Sequence, residues 1–84
     1  MTIYKFGLNW ATTELLMPKG ANVLSVQVQN DRICIWAMVD PLAPKEVRTF
    51  TTYGTGHVME KKPYQFIGTV QVASLVWHIF EEKS

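Results

Sequence analysis

The alternation of apolar and polar side chains on either side of Asn30-Asp31 constrains the fold of this chain more than any other feature. The runs from Val23 to Gln29 and from Arg32 to Val39 are both rich in β-forming residues. Two such runs joined by a two-residue turn form a β-hairpin, and the turn fixes which residues face each other. The predicted register pairs Gln29 with Arg32, Gln27 with Cys34, and Ser25 with Trp36.

The predicted hairpin has two unlike faces. One face carries apolar side chains and is the predicted core face: Leu24, Val26 and Val28 beside Ile33, Ile35 and Ala37. The other face mixes polar and apolar groups: Ser25, Gln27 and Gln29 beside Cys34, Trp36 and Met38. The near-continuous apolar run Ile33–Val39 is typical of a central strand covered on both sides. The cover is then either the rest of the domain or a partner.

The remainder of the chain follows the same period of two, and no long window has a helical period. Prolines and glycines separate the segments near Pro18-Lys19-Gly20 and Asp40–Pro44. Thr12–Met17 fits either a strand or a single helical turn, and we favour the strand. The other predicted strands are Thr2–Leu8, Val47–Tyr53, Gln65–Val72 and Leu75–Phe80. The predicted class is all-β: a single small antiparallel sandwich or partly closed barrel of six to seven short strands, in one domain over residues 1–84.

Composition limits the classes of partner. The 84 residues are 48% hydrophobic and carry a formal net charge of +1 with scattered Lys and Arg. Scattered charge is a poor match for a phosphate backbone, so nucleic acid is not an expected partner. Small domains often complete their burial by oligomerising, so a homodimer is possible.

The expected compartment is the cytoplasm. Cys34 is the one cysteine and forms no internal disulfide, which fits a reducing environment; we expect it to be a packed, unreactive thiol. The sequence shows neither a signal-peptide pattern nor an apolar run long enough to span a membrane.

The segment Tyr53-Gly54-Thr55-Gly56-His57 is the leading candidate for a binding loop. Glycine allows tight turns and close approach of a ligand, so two interpretations compete. The favoured one is a turn that ends a strand. In the other, the N–H groups of Gly54 to Gly56 form an anion-binding nest, with the Thr55 hydroxyl and His57 as additional ligands.

No arrangement in the sequence predicts catalysis. His57 and His78 are too few for a closed metal site, and neither has a nucleophile and an orienting acid at a suitable spacing. We therefore predict no catalytic residues, metal or cofactor. His78 alternates with Val76 and Phe80, which indicates a hydrogen-bonded core or cross-strand histidine.

The large aromatic residues supply the remaining candidates for binding. Trp and Tyr concentrate at binding hot spots because they give large, rigid contacts. Trp77 is the best core candidate, whereas Trp36, with Met38 on the mixed hairpin face, is the best interface candidate. Tyr64 is a further binding candidate, and Trp10 fits either role.

Five segments together resemble a family of short uncharacterised bacteriophage and prophage proteins. The resemblance covers most of the chain and implies a phage origin and the cytoplasm of the host cell. The segments are Val23–Asn30, Ile35–Pro41, Tyr53–His57, Phe66–Thr69 and Val76–Glu81.

Three functional hypotheses follow. The leading hypothesis is a non-enzymatic phage accessory protein that binds a host component, for counter-defence or host takeover, through the Trp36/Met38 face and the Tyr53–His57 loop. The second is capture of a small anionic ligand such as a nucleotide signal, with Tyr53, Trp36 or Tyr64 stacking on the base. The third is a minor structural protein of the virion.

Overall fold

The computed structural model describes residues 1–83, and these form seven antiparallel strands. The strands are β1 (Thr2–Gly7), β2 (Thr12–Pro18), β3 (Asn22–Gln29), β4 (Arg32–Val39), β5 (Lys45–Gly54), β6 (Tyr64–Val72) and β7 (Leu75–Glu82). The predicted all-β class is confirmed, and so is the interpretation of residues 12 to 17 as a strand.

The strands form two sheets that stack as a sandwich. One sheet has three strands in the order β1-β4-β3, and the other has four in the order β2-β5-β7-β6. The smallest extent of the molecule is 16 Å, which suits two layers about 10 Å apart. The edge strands β3 and β6 lie against each other on one side, while β1 and β2 do not pair on the other. The sheets therefore do not close into a barrel within the described residues.

The β3–β4 hairpin has the register that its turn predicts. Ser25 faces Trp36, Gln27 faces Cys34 and Gln29 faces Arg32. Asn30 and Asp31 have φ values of +52° and +61°. Positive φ at both central residues is the geometry of a type I′ turn, which matches the twist of the strands that it joins.

The predicted core position of Leu24 is wrong. A β-bulge shifts the register between Val23 and Ser25, so that Leu24 has no partner on β4 and its side chain is 48% exposed. Val23 pairs with Ala37 and takes the core-facing position instead. A bulge adds one residue to a strand, and every side chain beyond it changes face.

The core lies between the two sheets and draws on both. Ile33, Ile35, Ala37 and Val39 from β4 are buried against residues of the four-stranded sheet. The contributors from that sheet are Met17, Phe50, Val70 and Ile79. The rest of the domain covers the outer side of β4 only in part: its outward residues run from buried Cys34 to Met38, which is 37% exposed.

Candidate functional site

The Tyr53–His57 segment is a tight turn at the end of β5. The His57 N–H donates to the Gly54 carbonyl oxygen at 3.0 Å, and Gly56 has a φ of +87°. A positive φ at the third position of the turn is typical of type II, which favours glycine there. The geometry thus matches the favoured interpretation of this segment.

The backbone donors of this turn are mostly used within the chain. The Gly54 N–H donates to His57 Nδ1 at 3.1 Å, and the Thr55 N–H donates to the carbonyl oxygen of Val76 at 3.3 Å. An anion nest requires successive N–H groups that all point at the ligand. Two of the three N–H groups on which the nest depends are committed elsewhere, so this conformation offers no such nest.

His57 is exposed, but its ring is held in place. Because Nδ1 accepts the hydrogen bond from Gly54, the neutral ring carries its proton on Nε2. The ring also meets the edge of Trp77, with centroids 5.7 Å apart and planes at 73°. His57 therefore closes the turn over Gly54 and connects it to β7.

Tyr53 and Tyr64 meet on the outer face of the four-stranded sheet. Their hydroxyl oxygens are 2.7 Å apart, and both rings pack against Phe80. The hydrogen bond with Tyr53, together with partial burial, raises the pKa of Tyr64 to about 12. Phe66 extends this aromatic group with its centroid 5.4 Å from that of Phe80, and it is 57% exposed.

His78 joins three elements on the same outer face. Its Nε2 lies 2.8 Å from Thr55 Oγ1, and its Nδ1 lies 3.1 Å from Thr69 Oγ1. Thr69 is its cross-strand partner on β6, and Thr55 belongs to the glycine turn. His78 is thus the cross-strand, hydrogen-bonded histidine that the alternation of β7 predicts.

Trp36 and Met38 lie on the outer face of the other sheet. Register places Met38 opposite Ile3 and Trp36 opposite Lys5 on β1, and Ile3 is 58% exposed. Trp36 is half-buried, and it borders a shallow concavity of about 350 Å³ together with Gln27 and Gln29. We call the outward side chains of Ile3, Trp36 and Met38 the Trp36 face.

The eight candidate binding residues therefore fall into two groups on opposite sheets of the sandwich. Trp36 and Met38 lie on the three-stranded sheet, whereas Tyr53 and Tyr64 lie on the outer side of the four-stranded sheet. The remaining four, Gly54, Thr55, Gly56 and His57, form the turn that directly follows Tyr53, and Thr55 contacts the same outer face through His78. One surface that combines the Trp36 face with the glycine turn is therefore not formed, and Trp36 does not lie beside that turn to stack on a shared ligand.

Three features of the molecule's surface were not predicted from the sequence: the outward position of Ile3, the packing of Trp10 on Trp77 and the exposure of Phe66. Ile3 alternates with the inward residues of β1, so its outward position follows from the period of two once the inner face is known. The stacking of Trp10 on Trp77 and the exposure of Phe66 depend on contacts between distant segments, which no local pattern encodes.

An ion pair between Arg48 and Glu81 lies near the other end of β5. Arg48 Nε and Nη2 donate to the two Glu81 carboxylate oxygens at 2.6 and 2.8 Å, and Nη1 donates to the carbonyl oxygen of Ala21. Burial raises the pKa of Glu81, but the hydrogen bonds and charge of Arg48, with Lys83, outweigh it and hold the pKa below its usual range. The guanidinium is neutralised, so we assign this pair to structure and not to anion binding.

No group of three or more His, Cys, Asp and Glu side chains in residues 1–83 is arranged to hold a metal ion. No helix in this range is long and apolar enough to cross a membrane.

Comparison with known proteins identifies a family. A family model described as a domain of unknown function, DUF7352, matches residues 1–84, which is the whole sequence. The chain belongs to the DUF7352 family. No curated protein and no solved structure matches this DUF7352 domain.

Proposed function

We propose that this DUF7352 domain is a non-catalytic, phage-encoded accessory protein that binds a protein of the host cell in the cytoplasm. Interference with a host defence is the purpose that we favour. The resemblance of five segments to short phage and prophage proteins supports the origin, and the Trp36 face supports the binding.

The Trp36 face has the composition of a protein interface. Ile3 and Met38 expose 58% and 37% of their surface, and they face each other beside the half-buried Trp36. Polar side chains surround them, with Lys5 Nζ donating to Gln29 Oε1 at 2.7 Å. An apolar centre with Trp and Met inside a polar rim is typical of interfaces, and Trp is enriched among hot spots.

The shape of this face favours a protein over a small molecule. Small-molecule sites enclose most of their ligand in a deep cavity. The Trp36 face is the outside of a three-stranded sheet, and the concavity that Trp36 borders is shallow. Such a surface offers contact area without enclosure, which suits the broad contact of a second protein.

A quantitative pull-down from infected host cells tests this proposal. Met38→Lys places a charge in the centre of the Trp36 face and should reduce recovery of the dominant host partner at least tenfold. Phe66→Lys places the same charge on the opposite sheet, at a side chain that is 57% exposed, and should leave recovery unchanged. Circular dichroism of both variants serves as the check on folding.

Four results would contradict the proposal. The first three are equal loss of the partner in both variants, no partner specific to the wild-type chain, and recovery of the protein in purified phage particles. The third result would favour a virion role. A molar mass twice that of the chain, reduced to one chain by Met38→Lys, would assign the Trp36 face to a homodimer instead.

A further inference from the structure

The edge strand β1 lacks the features that block pairing at the other edges of the two sheets. The edge strands β3 and β6 lie against each other and each contains a β-bulge, whereas the edge strand β2 carries Glu14 and ends in Pro18. Bulges, prolines and charges keep native edges from pairing with other chains. β1 has neither a bulge nor a proline, and four of its six residues are exposed. Its outer edge is therefore open to a further strand.

The single charged residue of β1 does not protect this edge. Lys5 Nζ donates to Gln29 Oε1 at 2.7 Å. Because Gln29 belongs to β3, the Lys5 side chain crosses the outer face of β4 and points away from the open edge. The rest of β1 is rich in β-branched and aromatic residues, a composition that favours strand pairing.

The alternation of backbone groups along β1 identifies the donors and acceptors at the open edge. The Leu8 N–H donates to the carbonyl oxygen of Ile33, next to β4, at 2.9 Å. In an antiparallel ladder, every second residue of a strand exchanges hydrogen bonds with a given neighbour. Tyr4 and Phe6, like Leu8, therefore bond toward β4. Ile3 and Lys5 direct their N–H and C=O groups to the other side, where no strand of the described chain pairs with them.

The exposure of Tyr4 shows that the space beside this edge is open. Tyr4 lies opposite the fully buried Ala37, so its ring points toward the other sheet, yet it is 38% exposed. A strand of the four-stranded sheet that extended beyond β1 would bury this ring. Phe6, on the same side of β1, packs against the core and meets the Tyr4 ring with centroids 6.3 Å apart. A strand added to β1 can therefore continue the sheet and cover Tyr4.

We propose that β1 pairs with β1 of a second copy of this chain, antiparallel and across a two-fold axis at Tyr4. Residues opposite each other in a continuous sheet share a face, so Tyr4 faces its own copy and Ile3 faces Lys5 of the partner subunit. Ile3 and Lys5 are the residues whose backbone groups point to the open edge. Each Ile3–Lys5 pair then exchanges two hydrogen bonds, and the symmetry makes two such pairs.

The neighbouring registers are less favourable for two identical strands. A pair centred on Lys5 would place like charges directly opposite each other, which is destabilising. A pair centred on Ile3 would shorten the ladder and leave Phe6 without a partner. The register centred on Tyr4 avoids both defects and forms an aromatic cross-strand pair, which is stabilising.

This dimer would enlarge the Trp36 face. The two-fold axis is perpendicular to the sheet, so both copies of that face lie on the same side of one continuous sheet with three strands from each chain. The contact itself uses the edge of β1 and stands whether or not the Trp36 face binds a host protein. Either proposal can fail without the other.

Sedimentation equilibrium of two variants at position 5 tests the contact. Lys5→Pro removes an N–H that points away from β4, so the β1–β4 ladder keeps its hydrogen bonds. Lys5→Ala removes the same side chain but keeps the N–H. Wild type and Lys5→Ala should have twice the mass of one chain. Lys5→Pro should raise the dimer dissociation constant about 30-fold or more, because the symmetry removes two hydrogen bonds at once. Circular dichroism checks the folding of both variants.

Disulfide trapping tests the register. Residues on the axis form a non-hydrogen-bonded pair with Cα atoms about 4.5 Å apart, within the range of a disulfide, so oxidised Tyr4→Cys should run as a linked dimer without reductant. Lys5→Cys lies on the same edge, but its copy is two residues further along the strand, beyond the limit of about 7 Å, and should stay monomeric. Cys34 is buried, and the wild type is the blank for both variants.

The following results would overturn the proposal. A wild-type chain that keeps the mass of one chain at its highest soluble concentration would leave the edge to a strand of another protein. A dimer that persists in Lys5→Pro, or that Met38→Lys dissociates, would place the contact on another surface. A disulfide in Lys5→Cys that equals or exceeds the one in Tyr4→Cys would exclude the register centred on Tyr4.

Discussion

At the scale of single residues, Gly54 tests the geometry of the turn. A Cβ at this position would lie 2.8 Å from His57 Cε1, so the imidazole must leave Gly54 and Trp77. We expect Gly54→Ala to lower the free energy of unfolding by about 0.5 to 1.5 kcal/mol, because the exposed imidazole can swing aside and the loss is chiefly its hydrogen bond to Gly54. Urea denaturation measures this value.

The control for that prediction is a double-mutant cycle. His57→Ala removes the atoms that a Cβ at Gly54 would meet, so adding Gly54→Ala in that background should cost much less than in the wild type. Strictly additive costs would show that the ring of His57 does not lie over Gly54.

The Arg48–Glu81 pair makes a second prediction at the residue scale. The two side chains are 15% and 5% exposed, so Glu81→Gln leaves the Arg48 charge largely buried without its partner. Removing one member of a buried pair typically costs about 3 to 5 kcal/mol, and we expect a loss in that range by urea denaturation.

The stability of this pair also depends on pH. The pKa of Glu81 is lowered in the folded chain, so the folded state favours the ionised carboxylate. Its contribution is complete above the unfolded-state pKa of about 4.3 and is lost as the pH falls through the lower folded value. Wild type and Glu81→Gln should therefore converge in stability below pH 4, and a constant difference down to acid unfolding would contradict this account.

At the scale of elements, the bulge in β3 gives different burial to two side chains, Leu24 and Ile35, for which the alternating pattern predicts the same burial. Leu24 and Ile35 both belong to the predicted core face, but Leu24 is 48% exposed and Ile35 is fully buried. Leu24→Ala should change stability by about 0.5 kcal/mol or less, whereas Ile35→Ala should cost about 2 to 5 kcal/mol. Comparable losses in thermal and urea unfolding would place Leu24 in the core.

The same element shows how far the sequence predicts the fold. The Asn30-Asp31 turn sets the pairing nearest to it, and the register is correct as far as Ser25. Beyond Ser25 the predicted register fails, because the β-bulge results from the packing of the whole sheet and not from the identity of the residues near Leu24. The period of two also identified the strands and the cross-strand position of His78.

At the scale of the whole molecule, the candidate site could be predicted only in parts. The sequence identified Trp36, Met38, Tyr53 and Tyr64 as residues available for contact. The sequence could not predict which of these residues share a face, because the assignment of β4 to one sheet and of β5 and β6 to the other depends on long-range strand pairing. The structure consequently divides one hypothetical surface between the outer faces of the two sheets, with the glycine turn at the end of the four-stranded one.

Site-specific photocrosslinking in infected cells tests most directly whether the Trp36 face contacts a host protein. Met38→p-benzoylphenylalanine places the reactive group on that face, and Phe66→p-benzoylphenylalanine places it on the outer face of the opposite sheet. We expect one discrete adduct with a host protein from position 38 and none from position 66. An adduct from position 66 alone, or from neither position, would contradict this expectation.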